Sequence, residues 1–167
     1  MLEIETHPHK LFIPINATVL ILGTFPGKHN VQVEGQDEWF YSSKRNQFWT
    51  IIRRAYQEEL KTTAEKKELF TRKGIAIGDI FLKIKRVENN NSDSSLEVIE
   101  YNDKEIEKAI LENSLNIVFT TSHFVAKEFK KLFPAFKKIE ALPSPSPRYA
   151  RMTLEDKIAF YKKKLPP

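Results

Sequence analysis

Gly23-Thr24-Phe25-Pro26-Gly27 follows directly on the apolar run Val19-Leu20-Ile21-Leu22. A short uninterrupted apolar run suits a strand buried on both faces of a parallel sheet. A Gly/Pro loop at its carboxyl end lies where open α/β sheets bind ligands. Two familiar phosphate-binding loops are excluded by spacing. A Walker-type loop separates its glycine more widely from its Gly-Lys and continues with Ser or Thr. Here three residues separate Gly23 from Gly27-Lys28, and His29 follows. The dinucleotide fingerprint lacks its third glycine in register, so nucleotide-triphosphate chemistry is not expected.

Other chemistry-bearing residues cluster downstream. Trp39, Phe40, Tyr41, Phe48 and Trp49 form an aromatic group. Phe48 and Trp49 sit at helical spacing and read as core, whereas Tyr41 lies in a loop between polar residues and reads as functional. Asn46 precedes an apolar-periodic segment and, on the sequence alone, reads as a helix N-cap. Asp79 ends a strand and reads mainly as a loop-ordering carboxylate. His123, within Thr121-Ser122-His123, reads as an ordinary helix-start histidine. His7-Pro8-His9 lacks the further ligands a metal site needs, so neither metal nor other cofactor is expected. Lys44, Arg45, Lys83, Lys85, Arg86, Arg148 and Arg151 fall near these loops and together could neutralise several phosphates.

The elements that must position these residues follow from periodicity and capping. A strand is expected over 18–22, a loop over 28–43 carrying Glu34, Asp37 and Glu38, and a helix over 46–59. Thr62 and Glu65 form a capping-box pattern for a second helix, which Gly74 stops. Residues 74–87 read as one strand running into a basic extension, with Lys83, Lys85 and Arg86 on its polar side. A polar loop, Asn89-Asn90-Asn91-Ser92-Asp93-Ser94, leads to a helix capped by Asn102 and Glu105. A strand over 115–120, a helix capped by Ser122, a short strand over 138–142 and a last helix from Thr153 complete the chain. Strands alternating with helices imply parallel pairing, right-handed crossovers and helices on both sheet faces. The expectation is a three-layer α/β/α sandwich with a central parallel sheet of about four strands, in one domain over 1–167.

Composition narrows the class. The chain of 167 residues is long enough to bury a core without staples, and it contains no cysteine. Disulfide, thiolate and iron–sulfur chemistry are therefore excluded, and an intracellular, cytoplasmic location is expected. The N-terminal MLEIETHPHK has no basic-then-apolar signal pattern, and no apolar run approaches the roughly 18 residues of a membrane span. Lys and Arg number 27 against 22 Asp and Glu, a net charge of +5 that favours a polyanionic partner. A monomer with no membrane partner is expected.

Gly23-Thr24-Phe25-Pro26-Gly27, then Tyr41, then Arg45-Asn46-Gln47-Phe48-Trp49 resembles the uracil-DNA glycosylase superfamily, in particular its hypoxanthine-DNA-glycosylase-like branch. That branch carries a G-S-F-P-G-like loop followed by a Tyr-rich stretch ending in R-N-x-F-W. Leu142-Pro143-Ser144-Pro145-Ser146-Pro147 is similar to the second superfamily motif, a Ser/Pro-rich loop that presses on DNA. Gly74-Ile75-Ala76-Ile77-Gly78-Asp79-Ile80 and Ser92-Asp93-Ser94-Ser95-Leu96 are similar to the branch's middle segments. The ordered set covers most of the chain.

The resemblance implies excision of a deaminated base, hypoxanthine favoured, from DNA. Such an enzyme flips the nucleotide out of the stack and stabilises negative charge growing on the departing base. It assigns base binding to Gly23, Thr24, Phe25, Pro26, Gly27, Tyr41 and Asp79, with backbone N–H groups near Thr24 and Phe25 as donors. Tyr41 or Phe25 would stack on the base. Asn46 matches the branch's catalytic position, where an amide holds water and base without acting as a strong base. DNA contacts fall to Lys85, Arg86, Ser144, Pro145, Ser146, Arg148 and Tyr149, with Arg148 or Tyr149 as a wedge. Many members place a histidine where Leu142 stands here, so that role is unfilled or moved. The alternatives are the same fold acting on uracil or mismatched bases, and a non-catalytic nucleic-acid-binding protein.

Overall fold

The computed structural model of the protein describes residues 3–27, 38–87 and 92–167. In chain order it contains β1 (Ile4–Thr6), β2 (Val19–Gly23), α1 (Phe48–Tyr56), α2 (Thr63–Lys73), β3 (Ile75–Asp79) and β4 (Phe81–Arg86). There follow a 3-10 turn (Asp93–Ser95), β5 (Leu96–Tyr101), α3 (Asp103–Glu112), β6 (Ile117–Thr120), α4 (His123–Leu132), β7 (Ile139–Ala141) and α5 (Leu154–Lys164).

The central sheet runs β3-β2-β6-β7 with every pair parallel. Alternation along β2 divides the interior, because successive side chains of a strand point to opposite faces. Val19 and Ile21 join Phe48, Ile51 and Ile52 of α1, Leu69 and Phe70 of α2, and Ile158 and Tyr161 of α5. Leu20 and Leu22 join Ile106 and Ala109 of α3 and Val125 and Phe129 of α4. The parallel four-stranded sheet therefore lies between helical layers, as the alternating pattern implied.

Local signals explain most element ends. Thr62 accepts from the Glu65 amide while the Glu65 carboxylate takes the Thr62 N–H, and Gly74 closes α2 at φ +65°. Ser122 accepts from the Val125 amide at 3.2 Å. Thr153 and Asp156 form the capping box of α5.

The expected single strand over 74–87 is corrected. It divides at Ile80 into β3, buried throughout, and β4, which leaves the central sheet and pairs antiparallel with β1 and β5. The backbone turns there because Ile80 N–H donates to the Gly23 carbonyl and Phe81 N–H to the Thr24 carbonyl. β5 lies between the expected polar loop and the expected helix cap, over residues for which the sequence pattern implied no strand. Asn102 is the N-cap of α3 as expected, but its side chain makes no capping bond: the amide nitrogen donates instead to the Asp79 carbonyl at 3.2 Å. The helix expected over 46–59 ends at Tyr56, where Gln57 turns left-handed. Residues 28–37 of the expected loop, with Glu34 and Asp37, lie outside the described residues, as do Asn89, Asn90 and Asn91. Among the described residues, no helix is long and apolar enough to cross a membrane.

Candidate active site

Parallel pairing brings the loops after β2, β3, β6 and β7 to one edge of the sheet. A cavity of about 380 Å³ opens there. Thr24, Phe25, Pro26, Gly27, Tyr41, Asn46, Asp79, Ser144, Pro145, Ser146 and Arg148 all line it, so residues far apart in sequence share one space. Its volume lies in the range of small-ligand sites.

Gly23 allows the tightest approach. A Cβ built on it would overlap the Tyr41 hydroxyl and stand 2.5 Å from Asp79 Oδ1. The glycine thus lets a phenol and a carboxylate converge on the end of β2. Tyr41 itself holds a positive φ of 57°, a sparsely populated region for a side-chain-bearing residue. Its ring stacks on Phe48 at 4.2 Å, and its hydroxyl donates to Thr121 Oγ1 at 3.2 Å. Burial, reinforced by the nearby Asp79 charge, pushes the phenol well above its ordinary pKa, so it stays neutral.

Asp79 is buried, and His7 Nε2 lies 2.7 Å from its Oδ2. The tautomer follows from the other ring nitrogen. His9 N–H donates to His7 Nδ1 at 3.0 Å, so Nδ1 keeps its lone pair and the proton resides on Nε2. His7 therefore donates to Asp79. Both of its nitrogens are used inside the protein, which leaves it no lone pair for a metal. The Phe25 ring closes over His7 at 5.2 Å, edge to face. Sequence reasoning missed His7, because a residue before a proline in an irregular segment gives no sign of its distant partner.

A second carboxylate also escaped assignment. Asp93 lines the cavity and accepts from the Thr24 hydroxyl at 3.0 Å. Burial first, and the Asp79 charge in addition, raise its pKa above the ordinary aspartate value, against the opposing Thr24 bond and Arg86. The N–H groups of Thr24 and Phe25 donate to no acceptor among the described residues. They remain available at the cavity wall. Ser42 Oγ, at the same wall, is buried without a hydrogen-bond partner among the described residues.

Asn46 sits one residue ahead of the α1 N-cap, Gln47, whose side chain makes no capping bond. Asn46 Oδ1 instead accepts from the Phe48 N–H at 2.9 Å. Because that partner is a donor, the oxygen is assigned to it, and Nδ2 becomes the group left for the cavity. Helix capping and site chemistry are thus divided between the two ends of one amide.

The DNA-contact expectations divide. Arg86 is no free surface cation: it is 7% exposed, bonds Glu5 at 2.8 Å and donates to the Pro26 carbonyl at 2.6 Å. It lines the main cavity and braces the 23–27 loop through the Pro26 carbonyl. Lys85, the next residue of β4, points to the opposite sheet face and does not line the cavity. Arg148 is exposed at the cavity rim. Tyr149 lines a neighbouring cavity of about 200 Å³ together with His123, not the main one. Leu142, at the position where the resemblance places a histidine, is 2% exposed and packed in the core.

The fold and site define an α/β protein with a polar, partly aromatic ligand cleft at the carboxyl edge of a parallel sheet. The family model described as "Uracil DNA glycosylase superfamily" matches residues 10–165, and the chain belongs to that superfamily. Its structure is similar to a solution NMR structure described as a putative uracil DNA glycosylase from Methanosarcina acetivorans. The TM-score is 0.72 and the identity 19%, covering 96% of this chain and 98% of that one. No curated protein matches the chain by sequence.

Proposed function

We propose that the protein is a monofunctional DNA glycosylase that takes a flipped deaminated base, hypoxanthine first, and hydrolyses its N-glycosidic bond. The observation carrying this reading is the single cavity shared by the 23–27 loop, Tyr41, Asn46 and Asp79, with the Ser/Pro loop on its rim. A base entering it meets the N–H groups of Thr24 and Phe25, which donate to no acceptor among the described residues, and the Asn46 amide nitrogen. All are donors, and donors bind the base better as it becomes anionic.

As the glycosidic bond breaks, its electron pair stays with the base and the sugar carbon gains oxocarbenium character. Water then adds to that carbon, and the proton it loses balances the charge on the departing base, which leaves as the neutral free base. Asp79, oriented by His7, offers its other oxygen as an acceptor for a base N–H. Phe25, half-buried beside the cavity, supplies an apolar face for the base, and the Tyr41 ring, backed by Phe48, forms the floor.

The test uses duplex oligonucleotides with one deoxyinosine, deoxyuridine, deoxyxanthosine or mismatch, followed by alkaline cleavage of abasic sites. Inosine duplexes should be cut only after alkali, and equally in excess EDTA, since no step of this scheme uses a metal. Release of uracil alone would move the substrate, and absence of abasic sites on every duplex would overturn the reading.

A further inference from the structure

Charges of both signs line the main cavity: Arg45, Asp79, Arg86, Asp93 and Arg148. Arg45 and Arg148 are exposed, so water and salt screen them. Arg86 is buried and matched by Glu5 at 2.8 Å, and it donates further to the Pro26 carbonyl. The two carboxylates have no such match. Asp79 is buried, and its partner His7 accepts the His9 N–H on Nδ1 and is therefore uncharged. Asp93 accepts from the neutral Thr24 hydroxyl at 3.0 Å and bonds no lysine or arginine among the described residues. Burial, with the Asp79 charge adding to it, holds the Asp93 pKa above its ordinary value despite the Thr24 bond and Arg86. The inner wall thus carries two carboxylates without a paired cation, a costly arrangement away from water.

That arrangement acts differently on two kinds of base. Hypoxanthine keeps the electron pair of its glycosidic bond and departs as an anion, which both carboxylates oppose. The donors of Thr24, Phe25 and Asn46 must offset that repulsion. A purine alkylated on N3 or N7 is already a cation while attached to the sugar. When its C1′–N9 bond breaks, the electron pair cancels the ring charge and the base leaves neutral. The positive charge passes to the sugar carbon, where water adds and gives up a proton to solvent. The carboxylates therefore face a cation until water has added. Aromatic lining favours the same class. Phe25 already meets the Arg86 guanidinium at 5.9 Å, and the Tyr41 ring, stacked on Phe48 at 4.2 Å, remains for the base. A cation is held over such a ring more strongly than a neutral group.

We propose that the protein also excises cationic N-alkylpurines from DNA, with Asp79 and Asp93 selecting them by charge. Resting on the glycosylase reading of the same cavity, this activity widens its substrates from deaminated to alkylated bases. Alkylated adenine and guanine carry an amino group that hypoxanthine lacks, and the second oxygens of Asp79 and Asp93 are the acceptors for it. Unmodified adenine and guanine lack the ring charge on which the selection depends.

The experiment compares two substrates with one preparation. One is duplex DNA treated with a radiolabelled methylating agent, which carries 3-methyladenine and 7-methylguanine; the other is an inosine duplex. Released bases are separated by chromatography and measured against a control without protein, for wild type and Asp93→Asn. Wild type should free methylated purines well above their spontaneous rate. Asp93→Asn, which keeps an acceptor for Thr24, should lower the ratio of methylpurine to hypoxanthine release about tenfold, the scale of one charge lost at close range. Melting curves establish that the variant is folded, and if it is not, Asp93→Ser replaces it with the same expectation. An unchanged ratio in a folded variant would overturn selection by charge. Methylpurine release no faster than the control, from wild type that frees hypoxanthine, would overturn the activity and leave the glycosylase reading standing. Release of no base from either substrate would bring down the glycosylase reading itself.

Discussion

Asn46→Asp separates the two ends of the amide. Oδ1 holds the Phe48 N–H at 2.9 Å, and a carboxylate oxygen can accept that bond equally well. Asp caps helices about as well as Asn, and its charge at the start of α1 adds a favourable interaction of about 0.3–1 kcal/mol with the helix dipole. Folding stability should therefore be retained within about 1 kcal/mol, a melting shift of roughly 2–4 °C at most. Nδ2, the donor left for the cavity, is lost entirely. Removal of one preorganised donor to a developing anion costs about a hundredfold in rate, or about 2.7 kcal/mol. The added negative charge beside a base turning anionic pushes the loss further. Asn46→Ala removes both ends, so it should lose about 0.5–2 kcal/mol of stability as well as the chemical step. Single-turnover excision from an inosine duplex, with thermal melts of the same preparations, reads both effects. An aspartate variant that excises at the parental rate would remove Nδ2 from the mechanism, whatever its stability.

Three further outcomes follow from the same geometry. Gly23→Ala places a methyl group against the Tyr41 hydroxyl and Asp79, and should cost about 1–3 kcal/mol in melting experiments together with excision activity. Asp93 has a raised pKa in the folded state, so the folded protein binds its proton more tightly than the unfolded chain. Its contribution is most favourable at acid pH and is lost as pH rises through the range above the ordinary aspartate value. Asp93→Asn, which can still accept from Thr24, should therefore gain in melting temperature relative to wild type as pH rises from acid to neutral; a pH-independent difference would contradict this. Arg86→Ala leaves Glu5 and the Pro26 carbonyl without their donor and should cost roughly 3 kcal/mol. Its salt slope for DNA binding should stay unchanged, and a slope smaller by about one would return Arg86 to the DNA surface.

The sequence determined the elements whose signals are local. Val19-Leu20-Ile21-Leu22 had to be a buried strand, Thr62 with Glu65 and Gly74 had to bound a helix, and strand–helix alternation required the parallel sheet. Those signals act within a few residues, through periodicity, capping bonds and glycine's access to positive φ. The cleft at the carboxyl edge was legible for the same reason, since a Gly/Pro loop directly followed a strand. What only the tertiary structure decided were pairings across long separations. His7 meets Asp79 across 72 positions, Thr24 meets Asp93 across 69, and Lys157 meets Gln47 across 110. Nothing local distinguishes such residues from surface polar ones. Arg86 shows the converse: a cation in a basic run reads as surface charge, yet β4 carries it against the 23–27 loop, where Glu5 and a carbonyl take up its donors. The break at Ile80 was hidden for a related reason. Apolar residues resume at once after Gly78-Asp79, so the segment reads as one strand, and the bonds that bend the chain come from Gly23 and Thr24, more than fifty positions earlier. A side chain's role is set by its final neighbours, and for these residues the neighbours are fixed only when the two sheets have packed.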